Sequence, residues 1–191
     1  MAALVYSMLT SADGYVCDAS GSFAWARPDD AVHAFINERA RSVGTSLLGR
    51  RMYEVMSFWE GVSETPGMSL VAYEFASVWR TMDKVVYSTT LAEVTTARTR
   101  LERSFDAQAV RALKEQSDAL IDISGPTLAA QAIAAGLVDE FHMYRCPVAV
   151  GGGVPFFPAG VHLDLVLADA QRFDSGIVYE RFVLRGRPTI R

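Results

Sequence analysis

The chain has 191 residues, of which 50% are apolar, and it carries a net charge of −4. This length and balance suit one globular domain with a substantial core, and they exclude a disordered chain. The slightly negative charge argues against a nucleic-acid surface, because phosphate binding needs a clustered positive excess.

No apolar run approaches the ~20 residues that a membrane-spanning helix requires, so we expect no membrane partner. The first eight residues have no basic segment, and we therefore expect no signal peptide and a cytoplasmic protein. The two cysteines, Cys17 and Cys146, lie far apart, and the three histidines are scattered. We expect reduced thiols and no metal site.

Hydrophobic periodicity and turn residues predict strands that alternate with helices in the first half of the chain. Strands are predicted at residues 2–9, 45–48 and 83–87, and helices from residue 29 and at 50–57 and 70–81. Loops are predicted from the end of the first strand to residue 28 and at 60–69.

The second half continues the alternation and then changes character. Helices are predicted at 106–116, with Asp106 as the N-cap, and at 128–135, ended by Gly136; strands are predicted at 119–123 and 138–144. Residues 162–172 and 177–184 form a predicted hairpin joined at Asp174-Ser175-Gly176. We therefore predict a single α/β domain over residues 1–191, with a mostly parallel central sheet flanked by helices and a C-terminal antiparallel hairpin.

Three strand-to-helix junctions carry residues suited to binding phosphate. They are Gly49-Arg50-Arg51, Ser88-Thr89-Thr90 and Ser124-Gly125-Pro126-Thr127. Amides at a helix start favour anions, hydroxyl groups add neutral donors, and arginine adds a permanent charge. Because ligands bind beyond the carboxyl ends of strands in such sheets, the junctions predict a site for a dinucleotide or a sugar phosphate. The alternative for any single junction is ordinary capping and turn chemistry.

A further glycine segment, Gly151-Gly152-Gly153, follows a strand but has no helix after it. It therefore lacks the context of a Rossmann fingerprint. Either it is a flexible turn before the hairpin, or its glycines let the backbone approach a ligand closely.

Six short segments follow or overlap the predicted strands in a fixed order. They are Ser11-Ala12-Asp13-Gly14, Leu48-Gly49-Arg50-Arg51-Met52-Tyr53-Glu54, Val86-Tyr87-Ser88-Thr89-Thr90, Ser124-Gly125-Pro126-Thr127-Leu128, Gly136-Leu137-Val138-Asp139-Glu140-Phe141, and Pro147-Val148-Ala149-Val150-Gly151-Gly152-Gly153 with Phe156 and Phe157. Over nearly its whole length the chain thereby resembles the dihydrofolate-reductase-like superfamily. Within it, the chain is similar to the reductase domain of the bacterial riboflavin-biosynthesis deaminase–reductase and its stand-alone relatives.

The resemblance implies NADPH lying across the sheet edge. It places Gly49 and Arg50 near the pyrophosphate or the 2′-phosphate, Ser88 and Thr89 near the 2′-phosphate, and the 125–128 turn beside the diphosphate and nicotinamide. Arg51 or an arginine among residues 98–103 would add charge. The full set of implied cofactor-binding residues is Gly49, Arg50, Arg51, Ser88, Thr89, Thr90, Ser124, Gly125, Pro126, Thr127, Leu128, Gly151 and Gly152.

Reduction of a C=N or C=O bond needs a proton source and a dry pocket. The run Trp25-Ala26-Arg27-Pro28-Asp29-Asp30 resembles the Trp-x-x-Pro-x-acid run of dihydrofolate reductases, which implies that Asp30 is the catalytic acid and that Trp25 shields the substrate. The alternative is that both aspartates only stabilise a helix start.

Three other residues are candidates for the substrate side. Asp13 either contacts the substrate or forms a turn with Gly14. His33 lies one helical turn after Asp30 and either faces the same pocket or is an ordinary exposed histidine. Trp59 is either a pocket lid or a core residue.

Two departures concern the substrate. Tyr15 replaces the lysine that follows Asp-Gly in the riboflavin-pathway reductases, and the zinc signature of the fused deaminase domain is absent from the sequence.

We therefore expect an NADPH-dependent oxidoreductase acting on a pterin, a pyrimidine or a related heterocycle. It would resemble 5-amino-6-(5-phosphoribosylamino)uracil reductase or dihydrofolate reductase. The alternatives are an NADPH-binding module of the same fold without the reaction, and a nucleotide- or phosphosugar-binding enzyme. The alternating apolar residues of the hairpin, together with the resemblance, also predict a homodimer.

Overall fold

The order of the strands in the main sheet decides which loops come together. In the computed structural model, which describes residues 1–62 and 65–185, the strands are β1 (Leu4–Thr10), β2 (Tyr15–Asp18), β3 (Val43–Gly49), β4 (Asp83–Tyr87), β5 (Thr99–Glu102), β6 (Leu120–Ser124), β7 (Glu140–Arg145), β8 (Gly153–Pro155), β9 (Leu165–Arg172) and β10 (Val178–Leu184). The helices are α1 (Asp30–Ala40), α2 (Arg50–Met56), α3 (Leu70–Thr81), α4 (Ala107–Gln116) and α5 (Pro126–Ala134), with a short 3-10 helix at Ser57–Glu60.

Eight strands form one sheet in the order β5-β4-β3-β6-β1-β7-β10-β9, and β2 pairs with β8 in a separate two-stranded sheet. The six strands from β5 to β7 are parallel to one another, whereas β10 is antiparallel to both of its neighbours. This is the predicted α/β architecture, with a mostly parallel sheet and a C-terminal antiparallel hairpin.

Helices cover both faces of the main sheet. On one face, residues of α4 and α5 such as Val110 and Leu128 pack against Tyr6 and Ile123. On the other face, α1 packs over β7 and β10, and residues of α2 and α3 such as Tyr53 and Trp79 pack over β3 and β4. The result is an inner set of strands with buried apolar residues on both sides, as a parallel sheet requires.

Local capping residues set where the helices begin. The Asp29 side chain accepts a hydrogen bond from the Val32 amide at 2.9 Å, and Asp106 accepts one from the Gln108 amide at 2.8 Å. Each contact satisfies an amide that has no partner inside its helix. Helix α5 begins at Pro126, two residues before the predicted start, because proline suits the first helical position.

Three strands were not predicted from the sequence. Strand β5 is short and carries charged side chains, so its pattern resembles a loop. Strands β2 and β8 form only through their mutual pairing. Gly153 belongs to β8, not to a turn: its φ is 138°, and a Cβ there would lie 2.0 Å from the Cys17 carbonyl oxygen.

None of the helices found within residues 1–62 and 65–185 combines the length and the apolar character needed to cross a bilayer.

Candidate functional site

The three predicted phosphate-binding junctions lie at one edge of the main sheet. They follow β3, β4 and β6, which are adjacent and parallel in the order β4-β3-β6, so their carboxyl ends meet at the same edge. We refer to residues 49–51, 88–90 and 124–127 as the cradle. The adjacency on which a dinucleotide site depends is therefore present in the fold.

Two glycines bring the backbone of the cradle close together. A Cβ on Gly125 would lie 3.6 Å from the Met52 Cβ and 3.9 Å from the Gly49 nitrogen. A Cβ on Gly49 would lie 3.8 Å from the Leu128 Cβ. Gly125 also has a φ of 101°, a conformation that other residues rarely adopt. The two glycines therefore let the turns after β3 and β6 pack closely together at this edge.

Side-chain contacts connect the first two corners of the cradle. The Arg50 Nη1 donates to the Thr90 Oγ1 at 2.8 Å, and its Nε pairs with Glu54 at 2.7 Å. The Ser88 hydroxyl accepts hydrogen bonds from the amides of Thr90 and Leu91. Arg50 thus lies between the corners, half exposed, where its charge can reach an anion.

The arginines at 98–103 do not form one patch. Arg98 precedes β5 and pairs with Asp83 at the opposite end of β4, at 2.9 Å. Arg103 follows β5 at the cradle edge, and its guanidinium donates to the carbonyl oxygens of Ser88 and Leu91 at 3.4 and 2.6 Å. Of the two, only Arg103 lies beside the cradle.

Three of the predicted substrate-side residues lie together at the start of α1. Asp30 is the first residue of the helix and is exposed. The half-buried His33 ring packs edge-on against Trp59, with ring centroids 5.5 Å apart. Burial lowers the pKa of His33, and the negative charge of Asp30 raises it in part. Asp30, His33 and Trp59 are therefore close together, whereas Asp29 is the N-cap.

Trp25 packs in a different cluster, against residues of β7 and the following loop such as Cys146 and Val148. Its indole nitrogen is buried and has no hydrogen-bond partner within the described residues. Burial raises the pKa of the Cys146 thiol to about 11, so this cysteine is an inert packing residue.

Asp13 fixes the glycine segment. Its carboxylate accepts hydrogen bonds from the Ser11 hydroxyl at 2.6 Å, from the Gly151 amide at 2.8 Å and from the Val150 amide at 3.2 Å. These bonds lower the pKa of Asp13, the Ser11 hydroxyl most. Gly151, and with it the neighbouring Gly152, is therefore held against the loop after β1. Neither glycine belongs to the three corners of the cradle.

One acidic residue beside the cradle was missed. Asp122 lies in the middle of β6, and its carboxylate accepts hydrogen bonds from the hydroxyls of Ser124 at 2.8 Å and Ser46 at 3.1 Å. Burial raises its pKa to about 6. The signal that could have found it is a carboxylate within the otherwise apolar run 119–123, since a charge in a buried strand is costly.

Two shallow depressions, of about 310 and 280 Å³, lie outside this edge. The first is at the start of β4 and β5 around Lys84, whose ammonium group already donates to two backbone carbonyl oxygens. The second is lined by Phe157, Leu163 and neighbouring residues. We take the cradle edge as the candidate site, because it combines amides, hydroxyls and cations.

Comparisons with known proteins show which proteins this chain is similar to. The family model of the RibD C-terminal domain matches residues 2–179. The uncharacterized protein YyaP of Bacillus subtilis (strain 168) is 22% identical over 178 residues, which is 92% of this chain and 91% of that protein.

Solved structures show the same fold. A putative riboflavin biosynthesis protein from Shewanella sp. PV-4 superposes with a TM-score of 0.71 at 20% identity, covering 97% of this chain and 99% of that chain. Dihydrofolate reductase from Enterococcus faecalis, solved in complex with NADP(H), superposes with a TM-score of 0.61 at 15% identity, covering 96% of each chain.

Proposed function

Since the chain belongs to the RibD C-terminal domain family, we propose that it is an NADPH-dependent oxidoreductase. Its substrate is a pterin, a pyrimidine or a related heterocycle in which a C=N or C=O bond is reduced. The observation that carries the proposal is the cradle: three corners suited to phosphate on adjacent parallel strands, with glycines where the backbone approaches.

The residues of the cradle fit a phosphorylated dinucleotide. Gly49 and Gly125 carry no side chain where the first and third corners meet, and the hydroxyls of Ser88, Thr89 and Thr90 add donors at the neighbouring corner. Arg50 and Arg103 lie beside that corner, and two guanidinium groups favour NADPH over NADH, because the 2′-phosphate adds negative charge. When bound, NADPH supplies the hydride.

The start of α1 provides the substrate side of the proposed site. His33 and Trp59 offer aromatic surface for a planar heterocycle, and Asp30 lies one turn before His33. Trp25 packs beside β7 and would shield the substrate on that side. Asp13 contributes through the loop at 150–151, which it holds in place.

A fluorescence titration with NADPH tests the binding half of the proposal, with NADH as the matched comparison. We expect saturable binding of NADPH and weaker binding of NADH. NADPH oxidation is then followed with a panel of pterins, pyrimidines and ribosylated pyrimidines. The proposal fails if millimolar NADPH does not bind.

A binding module that holds NADPH without turnover is the second candidate. The observation that favours it is the exposure of Asp30, because hydride transfer to a C=N bond needs a proton source in a dry pocket. NADPH binding without oxidation over the whole panel would favour this alternative.

A further inference from the structure

The Asp122 carboxyl occupies an unusual place in the sheet. Strand β6 lies between β3 and β1, and Asp122 is in register with Ser46 on β3 and Val5 on β1. Within residues 1–62 and 65–185 no cation pairs with it; its hydrogen-bond partners are the two serine hydroxyls. A buried carboxyl without a countercharge favours its neutral form.

Small side chains keep this position open to solvent. Protein surrounds Asp122, yet the residue retains accessible surface, as does Ser7 on β1. Ser46, Ser124 and Ser7 lie on the same face of the sheet as Asp122, where larger apolar side chains would fill the space. Asp122 is therefore partly accessible, and its hydrogen-bond partner Ser124 is the first residue of a cradle corner.

The hydrogen bonds decide which oxygen carries the proton. Both serine hydroxyls donate to Oδ2, so the proton of the neutral acid belongs on Oδ1. Among the described residues no hydrogen bond reaches Oδ1. A proton on Oδ1 is thus available to a ligand that reaches the accessible surface of Asp122.

Two tyrosines near Asp122 do not compete for that proton. Tyr144 on β7 shares the face of Asp122, and Tyr6 on β1 lies on the opposite face; burial is the main cause that raises the pKa of each, so both are neutral. On α1, which packs over this face, burial lowers the pKa of His33, and at neutral pH its ring is uncharged.

We propose that Asp122, and not Asp30, is the acid of the site, and that it protonates the heteroatom of the bond being reduced. This inference rests on the proposed function. As hydride from NADPH forms a C–H bond at the carbon, the π electron pair moves to the nitrogen or oxygen. That atom takes the proton from Oδ1, leaving NADP⁺ and the Asp122 carboxylate. Solvent water returns the proton.

The protonation state can be measured without a substrate. Difference infrared spectra of the wild-type protein between pH 5 and pH 8 are compared with those of Asp122→Asn, with Asp118→Asn as the control on an exposed carboxylate just before β6. We expect a protonated-carboxyl band that titrates near pH 6 and disappears in D122N only. In Ser46→Ala the midpoint moves to higher pH, because that hydroxyl stabilises the carboxylate.

Kinetics then test the chemical role. With the first heterocycle that the wild type reduces, we expect D122N to bind NADPH within about twofold of wild type and to lose about 10²–10⁴-fold in rate, the range for a general acid. The wild-type rate falls as the pH rises through about 6, and D30N keeps this profile.

An unchanged rate and pH profile in D122N, or an infrared band that survives the substitution, would overturn the inference. Absence of NADPH binding to wild type would instead reject the proposed function, and the infrared result would still decide the state of Asp122. A thermal unfolding curve of D122N shows whether a loss of activity comes from unfolding.

Discussion

Arg50 makes the contact that connects two corners of the cradle. It donates to Thr90 and pairs with Glu54, one turn further along α2. Thr90 and Glu54 hold the Arg50 side chain in place while it stays half exposed. The guanidinium group therefore needs little reorganisation to bind a phosphate. We therefore expect Arg50 to recognise the charge of the proposed cofactor.

Replacing Arg50 by alanine should weaken NADPH binding about 10- to 100-fold, since a hydrogen bond to a charged group contributes about 1.5–3 kcal/mol. NADH binding should change less, because NADH has no 2′-phosphate. Isothermal titration of both cofactors measures the difference, with Arg41→Ala at the far end of α1 as the control. Equal losses for both cofactors would show that Arg50 does not read the 2′-phosphate.

The hydrogen bonds of Asp13 make the stability of its loop depend on pH. Its folded pKa is lowered, so the stability that it contributes is present above the unfolded value near 4 and is lost as the pH falls through the folded value. The amides of Val150 and Gly151 should therefore lose protection from hydrogen exchange in acid. Asp13→Asn should abolish this pH dependence, and an unaltered profile would contradict the assignment.

The turn from β6 to α5 depends on one glycine. Gly125 combines a φ of 101° with close approach to Met52 and Gly49, and Pro126 begins the helix directly after it. A residue with a side chain would meet backbone strain, and its Cβ would contact Met52 and Gly49 at the point where the cofactor is proposed to bind.

Gly125→Ala should destabilise the fold by about 1–3 kcal/mol and weaken NADPH binding by more than the loss of folded protein explains. Denaturant unfolding together with the cofactor titration separates the two effects. Gly61→Ala is the control, because its φ is −94° and a Cβ there meets nothing within 4 Å. Equal behaviour of the two variants would contradict the role of Gly125.

Elements with a strong local pattern could be predicted from the sequence. Helix α3 and strand β4 have the predicted bounds, and Asp106 is the predicted N-cap. Strands β2 and β8 could not be predicted, because their pairing joins residues more than 130 positions apart. Asp122 was not predicted as a site residue, because the pattern of β6 is mainly apolar and predicts only a buried strand. Its serine partner Ser46 lies on another strand.

Strand β9 lies at an exposed edge of the main sheet. Seven of its eight residues are exposed, among them Val166 at 38% and Leu167 at 52%. An uncovered edge with apolar side chains favours pairing with another strand. The expected homodimer would form here.

Sedimentation at micromolar concentration should therefore show a dimer, and Leu167→Lys should shift it toward monomer. The control is Leu70→Lys at the start of α3, since Leu70 is 81% exposed but not on a sheet edge. A monomeric wild type, or equal effects of the two substitutions, would contradict the assignment of the interface.

The central claim is that the corners after β3, β4 and β6 hold one phosphorylated dinucleotide. A crystal structure of the complex with NADP⁺ tests it most directly. We predict the diphosphate within hydrogen-bond distance of the amides around Gly49 and Gly125, and the 2′-phosphate beside Ser88 and Arg50. A dinucleotide bound at another surface, with these corners unchanged, would contradict the claim.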